Sequence, residues 1–181
     1  LGSWLDARQN QGKWLLRIED LDAPRCISGA DQEILRQLLA CGLNWDEQPT
    51  WQSKHQERYK KTLERLNQLQ KIYPCTCSRQ AIANALEARG VMTTRNQEMV
   101  YPGTCRPHQI GIYDEVERSS VEVAWRLSLQ PGLTIDFDDL ALGKQTQDLN
   151  REVGDFVLHR RDGIFTYQLA VVVDDAEQGI T

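Results

Sequence analysis

Three cysteines, Cys75, Cys77 and Cys105, have the type and spacing to close round one metal ion. Zinc takes four ligands in a tetrahedron, drawn from thiolate, imidazole and oxygen donors. Cys75 and Cys77 alternate along an extended segment, so the chain must kink there for both sulfurs to reach one ion. Cys105 supplies a third sulfur, and two side chains compete for the fourth position. His108 is the conventional choice on grounds of softness. Tyr101 offers a phenolic oxygen across the Pro102-Gly103 turn. A site closed by four protein ligands is structural rather than catalytic. Three buried thiols without a metal, or a redox Cys-x-Cys pair, are the competing readings, and the polar surroundings disfavour the first. Cys26 and Cys41 lie apart from this group and read as packing residues or free thiols.

Two acidic motifs flank the cysteine region. The first is Arg17-Ile18-Glu19-Asp20-Leu21-Asp22. A carboxylate such as Glu19, at the carboxyl end of a parallel strand, lies where open α/β sheets bind ligands and can pair with an ammonium group. The plainer reading is that Glu19, Asp20 and Asp22 cap the turn before Pro24. The second motif runs from Tyr167 through Leu169–Val173 to Asp174 and Asp175. The Tyr167 hydroxyl can serve a ligand, or the ring can simply pack. Asp174 and Asp175 could pair on a metal, but no further acid stands at metal-site spacing, so caps or backbone ties are favoured.

The elements that must position these residues follow α/β grammar. Leu1–Arg8 reads as part of an amphipathic helix, and residues 13–19 as a buried parallel strand. Ser28 is placed as an N-cap, with Ile34, Leu35, Leu38 and Leu39 at helical spacing and Gly42 as the stop. Ser53 and Gln56 form a capping-box pattern before Tyr59, Leu63, Leu66, Leu69 and Ile72, a long amphipathic helix. Ser78 caps a helix that Gly90 ends. Residues 91–120 are irregular, and Val121–Leu127 alternates like a half-exposed strand. Leu133–Phe137 and Phe156–Leu158 are further strands, with a polar loop over residues 140–152 and a turn at Arg161-Asp162-Gly163.

Composition narrows the classes. The 181 residues suffice for one domain carrying a small insert, and 40% of them are hydrophobic. No apolar stretch approaches the roughly 20 residues of a membrane span, and the reading is a cytoplasmic protein. A net charge of −5 argues against a broad electrostatic grip on nucleic acid, while leaving room for a local basic face. Arg79, Arg106, Arg160 and Arg161 are the candidates for phosphate contacts. The chain starts and stops without terminal signals, which suggests a piece of a longer protein.

Taken together, several motifs resemble one family in order and over essentially the whole chain. Leu16-Arg17-Ile18-Glu19-Asp20-Leu21-Asp22, Leu43-Asn44-Trp45-Asp46 and Trp51-Gln52-Ser53 resemble the catalytic domain of class I glutamyl-tRNA synthetases. Cys-x-Cys…Tyr-x3-Cys resembles the zinc site of the branch that modifies tRNA(Asp), and His159–Gly163 with Tyr167–Asp175 resembles the same branch. The resemblance implies a Rossmann-type class I aminoacyl-tRNA synthetase core with a zinc-bearing α+β insert, truncated at both ends. On that pattern residues 1–72 begin the core, 73–150 form the insert, and 151–181 return to the core. It implies ATP with Mg2+ activating glutamate, then transfer of glutamate to queuosine in the anticodon loop of tRNA(Asp), by a monomer. Glu19 and Tyr167 would belong to the glutamate pocket. Cys75, Cys77, Tyr101 and Cys105 would hold Zn2+, which tips the fourth ligand to Tyr101 over His108.

The chain departs from the family in carrying no HIGH-type histidine signature and no KMSKS-type lysine loop. No catalytic residue is therefore assigned within it, and it is expected to be inactive by itself. The rivals are part of an ordinary glutamyl-tRNA synthetase and a non-catalytic zinc-containing RNA-binding module. The acidic charge weighs against the second.

Overall fold

A computed structural model describes residues 1–92, 99–113 and 123–181. Val121 and Glu122, which open the expected alternating strand, lie outside the described residues, as do parts of the stretch 91–120. The chain forms two compact units, Leu1–Arg58 and Tyr59–Thr181.

In the first unit α1 (Gly2–Gln9) precedes β1 (Arg17–Ile18), the last part of the expected strand. Next come α2 (Ala30–Ala40) and β2 (Thr50–Trp51). The two strands pair in parallel, with Arg17 opposite Thr50 and Ile18 opposite Trp51. A parallel pair needs a long crossover, and α2 lies in it. Ser28 does not cap α2: the helix starts later, with Gly29 at the cap in a left-handed conformation, φ 80°. Gly42 does stop the helix. Its φ is 75°, and the Leu43 N–H closes back on the Leu38 carbonyl at 2.9 Å.

Polar ties hold this unit together, and they explain its Asp46. Arg8 donates to the Asn44 carbonyl at 2.7 Å and to Asp46 at 2.7 Å. Asp46 also accepts the Trp14 backbone N–H at 2.7 Å. The Arg8 hydrogen bond lowers the Asp46 pKa, with the Trp14 N–H adding to it.

A 3-10 turn over Gln52–His55 leads into α3 (Gln56–Gln68). The expected capping box does not form, because Ser53 is engaged elsewhere. Its backbone N–H and its hydroxyl both donate to Asp20, at 2.8 and 2.6 Å. The helix buries Tyr59, Leu63 and Asn67. It ends before Leu69, which is exposed, and Gln70 turns the chain at φ 54°. Ile72, expected on the helix, is instead a buried residue of β3 (Ile72–Cys75).

The remainder contains α4 (Arg79–Glu87), β4 (Ala124–Leu127), β5 (Thr134–Asp139), β6 (Gly143–Asp148), α5 (Leu149–Glu152), β7 (Val157–His159) and α6 (Tyr167–Gln178). Ser78 caps α4, accepting the Ala81 N–H at 3.1 Å, and Gly90 follows its end at φ 76°. β4 is central in an antiparallel sheet of order β3-β4-β7. Ala124, Trp125 and Arg126 are all buried, so β4 is covered on both faces rather than half-exposed.

Residues 140–152 are not a loop. β5 and β6 form a hairpin with Thr134 opposite Asp148. Asp139 closes its turn by accepting the N–H groups of Ala141 and Leu142, both at 2.8 Å. β5 overlaps the expected strand Leu133–Phe137, whereas the polar residues of β6 give no apolar alternation, the signal on which strand prediction depends. Asp174 lies within α6 rather than at its start. It is buried and accepts the Tyr59 hydroxyl at 2.7 Å.

Candidate functional site

β3 and the residues after it carry two thiols to one place. Cys75 is the last residue of the strand and is buried; Cys77 is half-buried, and Ser78 then turns the chain into α4. Tyr101 and Cys105 come from the irregular segment opposite. The Cys75 thiol donates to the Tyr101 oxygen at 3.4 Å, and the Cys77 sulfur lies 3.5 Å from the same oxygen. The Cys77 and Cys105 sulfurs are 3.4 Å apart. The Cys105 backbone N–H donates to Tyr101 Oη at 2.8 Å, which closes the Tyr-x3-Cys loop on itself. Tyr73, Ile82 and Leu86 pack round the group.

These separations suit a metal. Zinc bonds sulfur at about 2.3 Å and oxygen at about 2.0 Å, so a tetrahedron has edges of about 3.8 Å between sulfurs and about 3.5 Å from sulfur to oxygen. The three sulfurs lie within 4.8 Å of one another, and the separations of Cys75 and Cys77 from the Tyr101 oxygen match the shorter edge. Among the described residues no other group of His, Cys, Asp and Glu side chains converges in this way. His108 is exposed and stands outside the group, as do Asp174 and Asp175. Cys26 and Cys41 are exposed free thiols rather than packing residues.

The group shares its protons unevenly without a metal. Burial pushes the Cys105 thiol up, but hydrogen bonds from the Thr76 backbone, Tyr101 and Cys77 outweigh it and bring its pKa down to about 6. Burial raises Cys77, and burial with the neighbouring thiols raises Tyr101. A bound dication lowers all three, because it favours the anionic form of every ligand it touches.

Sequence reasoning missed the residues behind the cluster. Asp155, buried just before β7, accepts the Tyr73 hydroxyl at 2.6 Å and the Leu129 N–H at 2.9 Å. It pairs with Arg106 at 3.2 Å, and its backbone carbonyl accepts from Arg126 at 2.7 Å. The Arg126 guanidinium carbon lies 3.8 Å from the centroid of the Tyr101 ring. Only the juxtaposition of β4 with β7 reveals this set; no local spacing announces it.

The expected pocket residues stand as follows. Glu19 follows the carboxyl end of β1, exposed, with the Arg17 guanidinium 3.8 Å away. Tyr167 opens α6 and is 60% exposed. Glu19 belongs to the first unit and Tyr167 to the second. Among the phosphate candidates, Arg106 is committed to Asp155 and to the Leu129 carbonyl. Arg160 bonds Asp162, Arg161 reaches the Thr76 carbonyl at 3.4 Å, and Arg79 is exposed in the first turn of α4.

The mixed α/β arrangement and its thiol cluster define a class I synthetase catalytic domain. Residues 1–181 match the family of class I tRNA synthetases (E and Q), catalytic domain, and the chain belongs to that family. It is 47% identical to the glutamyl-Q tRNA(Asp) synthetase of Albidiferax ferrireducens, over 100% of this chain and 63% of that protein. It is 49% identical to the protein of the same name from Cupriavidus metallidurans, over 100% of this chain and 56% of that one. The chain thus spans a little over half the length of these relatives. Among solved structures, a glutamate tRNA ligase from Elizabethkingia meningosepticum, in complex with its amino acid, superposes with a TM-score of 0.77 at 26% identity. That match covers 99% of this chain and 38% of the ligase.

Proposed function

We propose that this chain is the central catalytic region of a glutamyl-Q tRNA(Asp) synthetase. The complete protein activates glutamate with ATP and Mg2+ and transfers it to queuosine in the anticodon loop of tRNA(Asp), in the cytoplasm. The observation that carries this reading is the convergence of Cys75, Cys77, Cys105 and Tyr101 on one point, the donor pattern expected of that branch. Identities of 47% and 49% to proteins of that name support it.

In this reading residues 1–72 and 151–181 belong to a Rossmann-type core and 73–150 to an insert. Glu19 pairs with the substrate ammonium, a charge-assisted contact, and its exposed carboxylate beyond β1 is available for it. Tyr167, exposed at the start of α6, is the second residue assigned to glutamate binding. Cys75, Cys77, Cys105 and Tyr101 hold Zn2+, which supplies a structural crosslink between β3 and the Tyr101–Cys105 loop. ATP is handled by residues other than those assigned here.

The test is transfer of labelled glutamate by the complete protein to tRNA(Asp) with and without queuosine, beside tRNA(Glu). Labelling of queuosine-containing tRNA(Asp) alone is the expected result. Labelling of tRNA(Glu) would make the protein an ordinary glutamyl-tRNA synthetase. In the same assay Glu19→Gln should weaken glutamate-dependent pyrophosphate exchange; an unchanged rate removes Glu19 from the pocket.

A further inference from the structure

We infer that Arg126 is a positioning residue for the metal: it holds the Tyr101 ring in place and balances the charge of Tyr101 as an anionic fourth ligand. The inference rests on the zinc reading above and extends it to a residue with no ligand atom of its own.

Arg126 is 8% exposed, in the middle of the central strand. Burying a guanidinium is costly unless its charge and its donors are met. One donor goes to the Asp155 backbone carbonyl, at 2.7 Å, a neutral acceptor. Nε is buried with no acceptor among the described residues. The Asp155 carboxylate is engaged by Tyr73, Arg106 and the Leu129 N–H. The central carbon of the guanidinium lies over the Tyr101 ring, 3.8 Å from its centroid.

The metal site supplies the missing counter-charge. Three thiolates and one phenolate round a divalent ion leave roughly two net negative charges. A cation over the ring is attracted to the negative charge gathered at the site, most strongly in a desolvated place. Stacking also fixes the ring plane, so that Oη meets the sulfurs without searching rotamers. Asp155 acts one step further back, since its carbonyl aims the guanidinium at the ring. Groups that orient metal ligands from behind commonly change metal affinity by about 10–100-fold when removed.

A double-mutant cycle on zinc affinity tests this in the full 181-residue chain, with competition against a chromophoric chelator. Arg126→Met should weaken zinc binding about tenfold or more. Tyr101→Phe keeps the ring and removes the oxygen. In that background Arg126→Met should change zinc affinity less than about threefold, because the oxygen through which Arg126 acts is gone. Equal losses in both backgrounds would overturn the inference, since they mean a merely structural role. A second readout is the near-ultraviolet difference spectrum of tyrosinate on adding zinc. It should be present in the unmutated chain, absent in Arg126→Met and retained in Arg126→Lys, which keeps a cation. If Arg126→Met does not fold, the Lys variant is read in the same cycle: loss of the tyrosinate signal there overturns the inference. If the unmutated chain binds no zinc, the zinc reading itself fails and the inference with it. If it binds zinc without a tyrosinate signal, the inference alone fails.

Discussion

Gly154 lies against the backbone of Tyr101. A β-carbon at position 154 would sit 3.0 Å from the Tyr101 nitrogen and 2.8 Å from Val100 Cγ1, and the residue's φ is 71°. Both the contact and the backbone conformation exclude a side chain, so this glycine seats the segment that carries the fourth donor of the cluster. Gly154→Ala should therefore cost about 2 kcal/mol of stability, combining left-handed strain with displacement of residues 100–101. It should also weaken zinc binding. Urea unfolding of the zinc-loaded chain, paired with chelator competition, measures both effects. An unchanged unfolding midpoint would show that the segment yields freely.

The cluster predicts which candidate ligands matter. Protein prepared without chelator should contain about one zinc per chain. Cys105→Ser should lose most of it, while His108→Ala should retain it, because His108 stands outside the converging group. Removing the metal should lower the melting temperature, since the ion binds only the folded arrangement. Elemental analysis of the two variants decides the point. Zinc lost from His108→Ala and kept in Cys105→Ser would reverse the assignment.

The sequence was most legible where chemistry is local. Cys-x-Cys and Tyr-x3-Cys have few uses, and Ser78, Gly42 and Gly90 punctuate helices by rules that depend on a few neighbours. It misled where distant partners compete for the same atoms. Ser53 fits a capping box, yet both its donors go to Asp20, and Ser28 lies too early to cap α2. Asp174 looks like a cap by position but is buried against Tyr59. Arg126 looks like the exposed phase of an alternating strand, and only the sheet order β3-β4-β7 shows that both faces of β4 are covered. β5 was legible from the alternation of Leu133–Phe137, but its partner β6 escaped because Gly143–Asp148 is polar throughout and carries no apolar phase.

His159 gives the second unit a dependence on pH. Burial lowers its pKa, opposed by a hydrogen bond to the Gly163 backbone and by the charge of Asp162. Its ring lies tilted against Phe165 with the centroids 4.8 Å apart, and Nδ1 is buried with no partner among the described residues. The unfolded chain takes up a proton on this histidine near pH ~6.5, whereas the folded chain resists until the pH is lower. The contribution is thus complete above the unfolded pKa and is lost as the pH falls from there through the folded value. Urea unfolding at pH 7.5 and pH 5.5 should show lower stability at the acid end. His159→Phe should flatten that difference, and a slope that persists unchanged would assign it to other groups.

The link between Asp20 and Ser53 leads to the last prediction. Asp20 follows Glu19, and its carboxylate accepts both the backbone N–H and the hydroxyl of Ser53, just after β2. Because β1 and β2 pair through only two residues each, this clamp extends the pairing beyond the strand ends and fixes the backbone next to Glu19. Asp20→Ala removes both bonds and leaves two donors to find water, a loss of about 1–2 kcal/mol at a half-exposed position. Its larger effect should be on geometry. If Glu19 meets the glutamate ammonium as proposed, the variant should raise the KM for glutamate several-fold in the complete protein, with the KM for ATP little changed. Ser53→Ala, which removes the hydroxyl and keeps the backbone donor, should fall between the variant and the unmutated protein. Pyrophosphate exchange measured against each substrate separates the outcomes. Equal rises in both KM values would mean that the clamp supports the unit as a whole rather than the carboxylate beside it.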